Sequence, residues 1–336
     1  MKAMVLRAAG DLALEQVDRP RPGPDQVLVR VTHSAVCGTD LKIFTGGIPV
    51  GYPRIMGHEM SGEVVEGDGA GSIRGDRVLI DPAVYCGACL NCRLGQTNIC
   101  PNGVLLGRDA DGGFAEYVVV PRSHVFRLPE TIEPRVAPAI QVLTTCLHAH
   151  RRTPIFPGQS VAVLGLGVAG QLHVQLAKAR GAHPVIGITR SAWKRGLAQQ
   201  LGADITLASG AEAVRDVSEA TDGRGADVVI ESTGVLKSTA DAMAMTRLGG
   251  SLVFYGITTA TEGTLPFYQL YFKELNVVNA RAAKSEDFPD SIDLVARGVV
   301  KLQPLITHVE DMAQLDRAID MLKTDVDGRM KVILEH

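Results

Sequence analysis

The chain has 336 residues, 46% of them hydrophobic, with 34 Lys and Arg against 37 Asp and Glu for a net charge of −3. Such a length holds about two domains, and the charge lacks the long runs that would draw the chain to nucleic acid or an anionic bilayer. No apolar run reaches the roughly 18 residues that a membrane span requires, so the expected partners are small molecules, with no nucleic acid and no membrane.

The N-terminal MKAMVLRAAGDLALEQV alternates like a strand, breaks at Gly10 and Asp11, and lacks the apolar core of a secretory signal. A cytoplasmic protein is expected. Next comes the strand-like VLVRV, then VCGTDLKIFTGG with Cys37, then IMGHEMSGEVVEG with His58 and Glu59. Each candidate ligand stands at a strand edge beside glycine. Cys37 and His58 are the two strong ligands, a set that leaves room for water or substrate on a catalytic zinc.

CGACLNCRLGQTNIC follows, placing Cys86, Cys89, Cys92 and Cys100 in one loop. In a reducing compartment such a cluster points to metal rather than disulfides. Four thiolates close a tetrahedral zinc site against water, so this ion is structural. The iron–sulfur alternative lacks the usual ferredoxin spacing.

Downstream, SVAVLGLGVAGQLHVQLAKARGAHPVIGIT reads as strand, glycine turn, helix and strand. Gly165 permits the tight turn, Gly167 lets the backbone approach a pyrophosphate, and Gly170 lets helix and strand pack closely. Val168 and Ala169 complete the turn, whose helix start favours phosphate. The second strand, VIGIT, lacks the acidic end that would accept from a ribose in NAD. Thr189, Arg190, Ser191 and Lys194 stand there instead, which favours the 2′-phosphate of NADP. Two later strands, in GADVVIESTG and TRLGGSLVFYGI, bring Thr233, Gly234 and Ile257 to the carboxyl edge of a doubly wound sheet, near the nicotinamide end of the cofactor.

Taken in order, Cys37-Gly-Thr-Asp, Gly57-His-Glu, the four-cysteine lobe, GGFAEY at 112 to 117 and the glycine turn resemble the medium-chain, zinc-dependent alcohol and polyol dehydrogenases nearly end to end. The resemblance implies an α/β protein in which a GroES-like β-rich catalytic domain (1–140 and 279–336, with the zinc lobe at about 84–102) accompanies a Rossmann doubly wound parallel-sheet domain (141–278). It implies one catalytic and one structural Zn2+, and a further catalytic-zinc ligand where this chain has Gln141 instead of the usual Cys, Glu or Asp. Glu59 is an alternative ligand, and a plain helix-start role is the alternative for Gln141. The family pairs subunits through an edge strand, here around Ser251–Gly256, which implies a homodimer or homotetramer.

The expected reaction interconverts an alcohol and its carbonyl by hydride transfer with NADP, or NAD. In it Thr39 hydrogen-bonds the substrate oxygen, Lys42 occupies the position of a proton relay, and Asp40 orients the metal-bound His58. A zinc-free, quinone-reductase-like enzyme and a non-catalytic nucleotide sensor are the rival readings. Polyols, sugars, secondary alcohols and amino alcohols all satisfy the chemistry; Phe44, Ile48 and Tyr52 are candidate substrate contacts. His33, His124, His148, His150, His173 and His183 are expected as packing or surface residues, and Cys146 as a small buried one.

Overall fold

A computed structural model describes residues 1–67, 74–258, 260, 262–324 and 328–336. It divides into two compact units, Met1–Thr144 with Ala282–Gly298 and Leu302–His336, and Thr145–Arg281 with Val299–Lys301. The junction at 144/145 compares with 140/141 expected and that at 281/282 with 278/279, while the assignment of Val299–Lys301 to the second unit was not expected.

The first unit is β-rich. Its long strand Gln26–Val36 carries VLVRV and pairs antiparallel with Glu59–Glu66, with Tyr117–Pro121 and with the C-terminal strand Lys331–Glu335. Among the described residues these belong to a seven-stranded sheet. Its alternating Val27, Val29 and Val31 are buried with Met60, Val64, Val78 and Val120 in one core, the pattern of a sheet with one face inward. A second core gathers Met4, Leu6, Ile43, Phe114, Leu315, Ile319 and Leu334, so the last strand completes the unit that the first strand opens. Phe44 and Ile48 pack against this second core, while Tyr52 is exposed.

The register of the long strand explains what meets at its end. Ala35 opposes Glu59 on one side and Val36 opposes Val332 on the other. The first residue of one neighbour, Glu59, and the first of the other, Lys331, are thereby set beside the turn at Cys37.

The second unit is a doubly wound parallel sheet. Its strand order is Ile205–Leu207, Val185–Ile188, Val161–Leu164, Ala226–Glu231, Thr246–Phe254, Asn276–Asn279. Val161–Leu164 and Val185–Ile188 are buried throughout, as expected for parallel strands covered on both faces. One expectation is corrected here: Ser251–Gly256 is not an edge. Thr246–Phe254 lies between two partners, and the edge strand on its side of the sheet is Asn276–Asn279. Asn at both ends of that strand hides it from a hydropathy reading.

Candidate functional site

Cys37 ends the long strand and caps the helix Gly38–Phe44. Asp40, in the first turn of that helix, is fully buried and its Oδ2 accepts the Cys37 amide at 2.8 Å. Its Oδ1 faces His58 Nδ1 at 3.4 Å, and both of these buried atoms lack a hydrogen-bond partner. Burial pulls the His58 imidazolium down, but the negative charge of Asp40, helped by Cys37, holds it well above the usual histidine range.

The turn that presents His58 needs glycines from two segments. Gly57 adopts φ of +95°, and a Cβ on it would meet the Phe114 amide nitrogen at 2.9 Å. A Cβ on Gly112 would strike the Gly57 carbonyl at 2.1 Å. The GGFAEY segment therefore lies flat against Gly57, with the Gly113 amide donating to Gly57 O and the Phe114 amide to Met56 O.

Cys37, His58 and Glu59 offer ligand atoms that all lie within 4.8 Å of one another. A thiolate and an imidazole oriented by a carboxylate fit a borderline-soft ion such as Zn2+, and the orphaned His58 Nδ1 and Asp40 Oδ1 are the pair that such an arrangement brings together. Glu59, the alternative ligand, also has a second partner. Lys331 Nζ donates to both its oxygens, at 2.6 and 2.9 Å, so the carboxylate is engaged by a cation beside the ligand group. Lys331 is 4% exposed. Burial pushes its ammonium pKa down, yet Glu59 and Cys37 raise it above the usual lysine value. The sequence reading missed Lys331; a lysine opening the otherwise apolar KVIL was the available signal.

Thr39 is half-buried in the first turn of the helix after Cys37, and Lys42, also half-buried, lies in its last turn. Gln141 stands half-buried in the first turn of the helix Ile140–Arg152.

The four cysteines of the lobe converge. All six cysteines of the chain are free, and the four lobe sulfurs lie within 4.8 Å of one another. Cys86 and Cys100 are 3.5 Å apart, Cys89 and Cys100 3.8 Å, close to the edge of about 3.8 Å in a tetrahedron of Zn–S bonds near 2.3 Å. Amide hydrogen bonds from Ala88 and Cys89 pull the Cys86 thiol down to about 6. Desolvation and the neighbouring sulfurs push Cys92 up to about 12. Four thiolates crowded this closely need a cation to ionise together, which suits a structural zinc.

In the second unit Gly165 has φ of +90°, and a Cβ on Gly170 would meet the Gly165 carbonyl at 1.9 Å. Gly167 caps the helix Val168–Ala179 with open space where a Cβ would stand. Each glycine thus has the conformation or clearance expected of it, with Val168 and Ala169 half-buried in the first turn. Thr233, Gly234 and Ile257 come together: a Cβ on Gly234 would meet the Ile257 carbonyl at 2.6 Å. Glu231, missed from sequence, holds this turn, its buried carboxylate accepting the amides of Thr233 and Gly234 and the Thr233 hydroxyl.

After the strand Val185–Ile188, Thr189 and Ser191 are half-buried and Arg190 is exposed. Lys194, expected beside them as a cation for the 2′-phosphate, is buried. It is 8% exposed, its Nζ lies 5.4 Å from the Trp193 ring centroid, and its carbonyl accepts Gln171 Nε2 at 2.8 Å.

Two family models match, Alcohol dehydrogenase GroES-like domain over residues 23–130 and Zinc-binding dehydrogenase over 168–297. A protein named L-threonine 3-dehydrogenase from Pyrococcus horikoshii is 34% identical over 332 residues, 96% of this chain and 95% of its own length. A sorbitol dehydrogenase from Halalkalibacterium halodurans is 32% identical over 331 residues, covering 96% of each. Among solved structures, a zinc-binding dehydrogenase from Sinorhizobium meliloti bound to NADP superposes with a TM-score of 0.94 at 34% identity, covering 100% of this chain and 99% of that one.

Proposed function

Because the chain belongs to the zinc-dependent medium-chain alcohol and polyol dehydrogenases, we propose that it interconverts a small-molecule alcohol, polyol or sugar and its carbonyl by hydride transfer to and from NADP. The observation that carries this reading is the convergence of Cys37, His58 and Glu59 on one point, with Asp40 behind His58.

Cys37 and His58 would hold the catalytic zinc, with Gln141 or Glu59 as the further ligand, and Cys86, Cys89, Cys92 and Cys100 would hold a structural one. When bound, catalytic zinc supplies the Lewis acidity that lowers the pKa of a substrate hydroxyl. Asp40 accepts the Nδ1 proton of His58 and fixes the tautomer that offers Nε2 as a ligand. Lys331 balances the negative charge of Glu59 beside Cys37 and His58. Thr39 takes the hydroxyl proton and Lys42 passes it outward. The turn from Gly165 to Gly170 seats the pyrophosphate, with Val168 and Ala169 offering free amides. Thr189, Arg190 and Ser191 receive the 2′-phosphate, with Lys194 beneath them, while Thr233, Gly234 and Ile257 border the nicotinamide.

The same reading makes the protein a cytoplasmic homo-oligomer. Its support is the described edge strand Asn276-Val277-Val278-Asn279, which reads identically in both directions. A two-fold antiparallel pairing would set Val277 against Val278 of a second copy, and Val277 is exposed.

The test is zinc per chain on the purified protein, followed by an alcohol and polyol panel with NADP and NAD. About two zinc ions and turnover with a member of the panel support the reading. One zinc, retained by the four-cysteine lobe, and no turnover with either cofactor would overturn it.

A further inference from the structure

The segment that follows the second strand of the nucleotide unit is held from below by two side chains that no cofactor motif predicts. Arg195 Nη1 donates to the carbonyls of both Thr189 and Arg190, at 2.8 Å each, and the Ser209 amide donates to the Thr189 carbonyl as well, at 3.3 Å. Gln171, fully buried in the glycine-turn helix, donates from Nε2 to the Lys194 carbonyl at 2.8 Å and to the Leu166 carbonyl at 3.4 Å. One guanidinium thus takes two successive carbonyls, and one amide ties the same segment to the glycine turn.

Peptide planarity converts that clamp into a statement about the opposite side. The bonds Thr189–Arg190 and Arg190–Ser191 are trans, since the cis bonds of the chain lie elsewhere. In a trans peptide the N–H points away from the C=O of the same plane. With the carbonyls of Thr189 and Arg190 turned to Arg195, the amides of Arg190 and Ser191 turn the other way, and neither has a hydrogen-bond partner among the described residues. Ser191 caps the helix Ala192–Gln200, yet its hydroxyl makes no cap hydrogen bond. Two successive free amides, a free hydroxyl and the exposed Arg190 guanidinium form the donor set that a phosphate monoester dianion accepts.

We propose that Arg195 is the positioning residue for cofactor choice: by holding the carbonyls of Thr189 and Arg190 it aims the Arg190 and Ser191 amides at the 2′-phosphate of NADP. This rests on the NADP reading above. Arg195 acts through the backbone, so its removal leaves every donor present; the Thr189 carbonyl keeps its bond from the Ser209 amide, and the direction lost is chiefly that set at the Arg190 carbonyl. NAD, which offers no phosphate there, has little to lose.

The experiment titrates the full-length zinc-loaded protein with NADPH and with NADH, followed by nicotinamide fluorescence, for the natural protein, Arg195→Ala and Arg195→Lys. The expected result is a loss of about tenfold in NADPH affinity for Arg195→Ala, as for one charged hydrogen-bonding group, with NADH affinity changed by less than about threefold. Arg195→Lys, whose single ammonium donates without the planar fork, restores part of the difference. Equal loss for both cofactors in both variants, or no loss for either, overturns the role of Arg195. The natural protein tests the cofactor reading separately: tighter NADH than NADPH binding would refute that reading whatever the variants do. Should Arg195→Ala fail to fold, the NADPH-to-NADH ratio of Arg195→Lys against the natural protein carries the same test.

Discussion

Lys331 and Glu59, 272 positions apart in sequence, form a buried ion pair in which the ammonium donates to both carboxylate oxygens. Their side chains are 4% and 1% exposed, so neither has water to fall back on. Replacing Lys331 with Met leaves a carboxylate uncompensated beside Cys37 and His58, a change that typically costs about 3–5 kcal/mol. In urea unfolding of the zinc-loaded protein, Lys331→Met is expected to lose about that much. The double variant Lys331→Met with Glu59→Gln should regain most of it. If the double variant is as unstable as the single, the loss comes from packing around Lys331 and not from the abandoned charge.

Replacing Gln141 with Glu tests the other ambiguous position. A carboxylate ligand adds one negative charge to a neutral one, strengthening the hold on zinc and making it less electropositive. A hydroxyl bound there then ionises less readily, so its pKa rises. The expected outcome is slower zinc loss to a chelator and an activity profile moved to higher pH. Unchanged zinc loss and an unchanged profile would place Gln141 away from the metal.

Much of the site is local in sequence, and that part was legible. Cys37 with Asp40, Gly57 with His58, the four-cysteine lobe and the turn from Gly165 to Gly170 each lie in one short stretch where spacing restricts geometry. What escaped was set by pairing between distant strands. Lys331 meets Glu59 because the C-terminal strand lies beside Gln26–Val36, a neighbour relation that spacing does not encode. The same holds for the edge at Asn276–Asn279, whose polar ends conceal a strand, and for Lys194, whose burial depends on how its helix packs. Arg195 was adjacent to the residues singled out for the 2′-phosphate, but its role is to hold carbonyls, and backbone geometry is invisible in a motif of side chains.

The four-cysteine lobe gives a metal-dependent prediction that leaves the Cys37 group intact. Cys92→Ser removes one ligand from a closed set, and a hydroxyl does not replace a thiolate for zinc. Zinc content is expected to fall from about two to about one per chain, and limited proteolysis should cut within residues 84–102, where the lobe has little buried apolar side chain to hold it. Full zinc content and unchanged resistance to protease would mean that the lobe does not carry an ion.

The last prediction concerns acid and sets two kinds of buried group against each other. Burial lowers His124 to about 4, His173 to about 3 and His336 to about 4. Each is depressed below its unfolded value near 6.5, so the stability it contributes is present above that pH and is lost as pH falls towards the folded value. Asp81 is the opposite case. Burial raises its carboxyl to about 6 against the pull of Ser285 and the Ala83 amide, above an unfolded value near 3.9. Its contribution is present below that lower value and is lost as pH rises through about 6. The three histidines outnumber the one carboxyl, and the protein is expected to lose stability on acidification from pH 7 to 5. Asp81→Asn keeps an oxygen to accept from the Ala83 amide and places an amide NH2 where Oδ2 accepts from Ser285 Oγ, so that the serine oxygen accepts instead, and it does not titrate. Its stability relative to the natural protein should therefore be greatest near pH 8 and shrink by up to about 3 kcal/mol towards pH 4, read from urea midpoints at fixed pH. A difference that stays constant across that range would mean that Asp81 ionises at its ordinary pKa, and that Ser285 and the Ala83 amide outweigh burial at the end of the strand Arg77–Ile80.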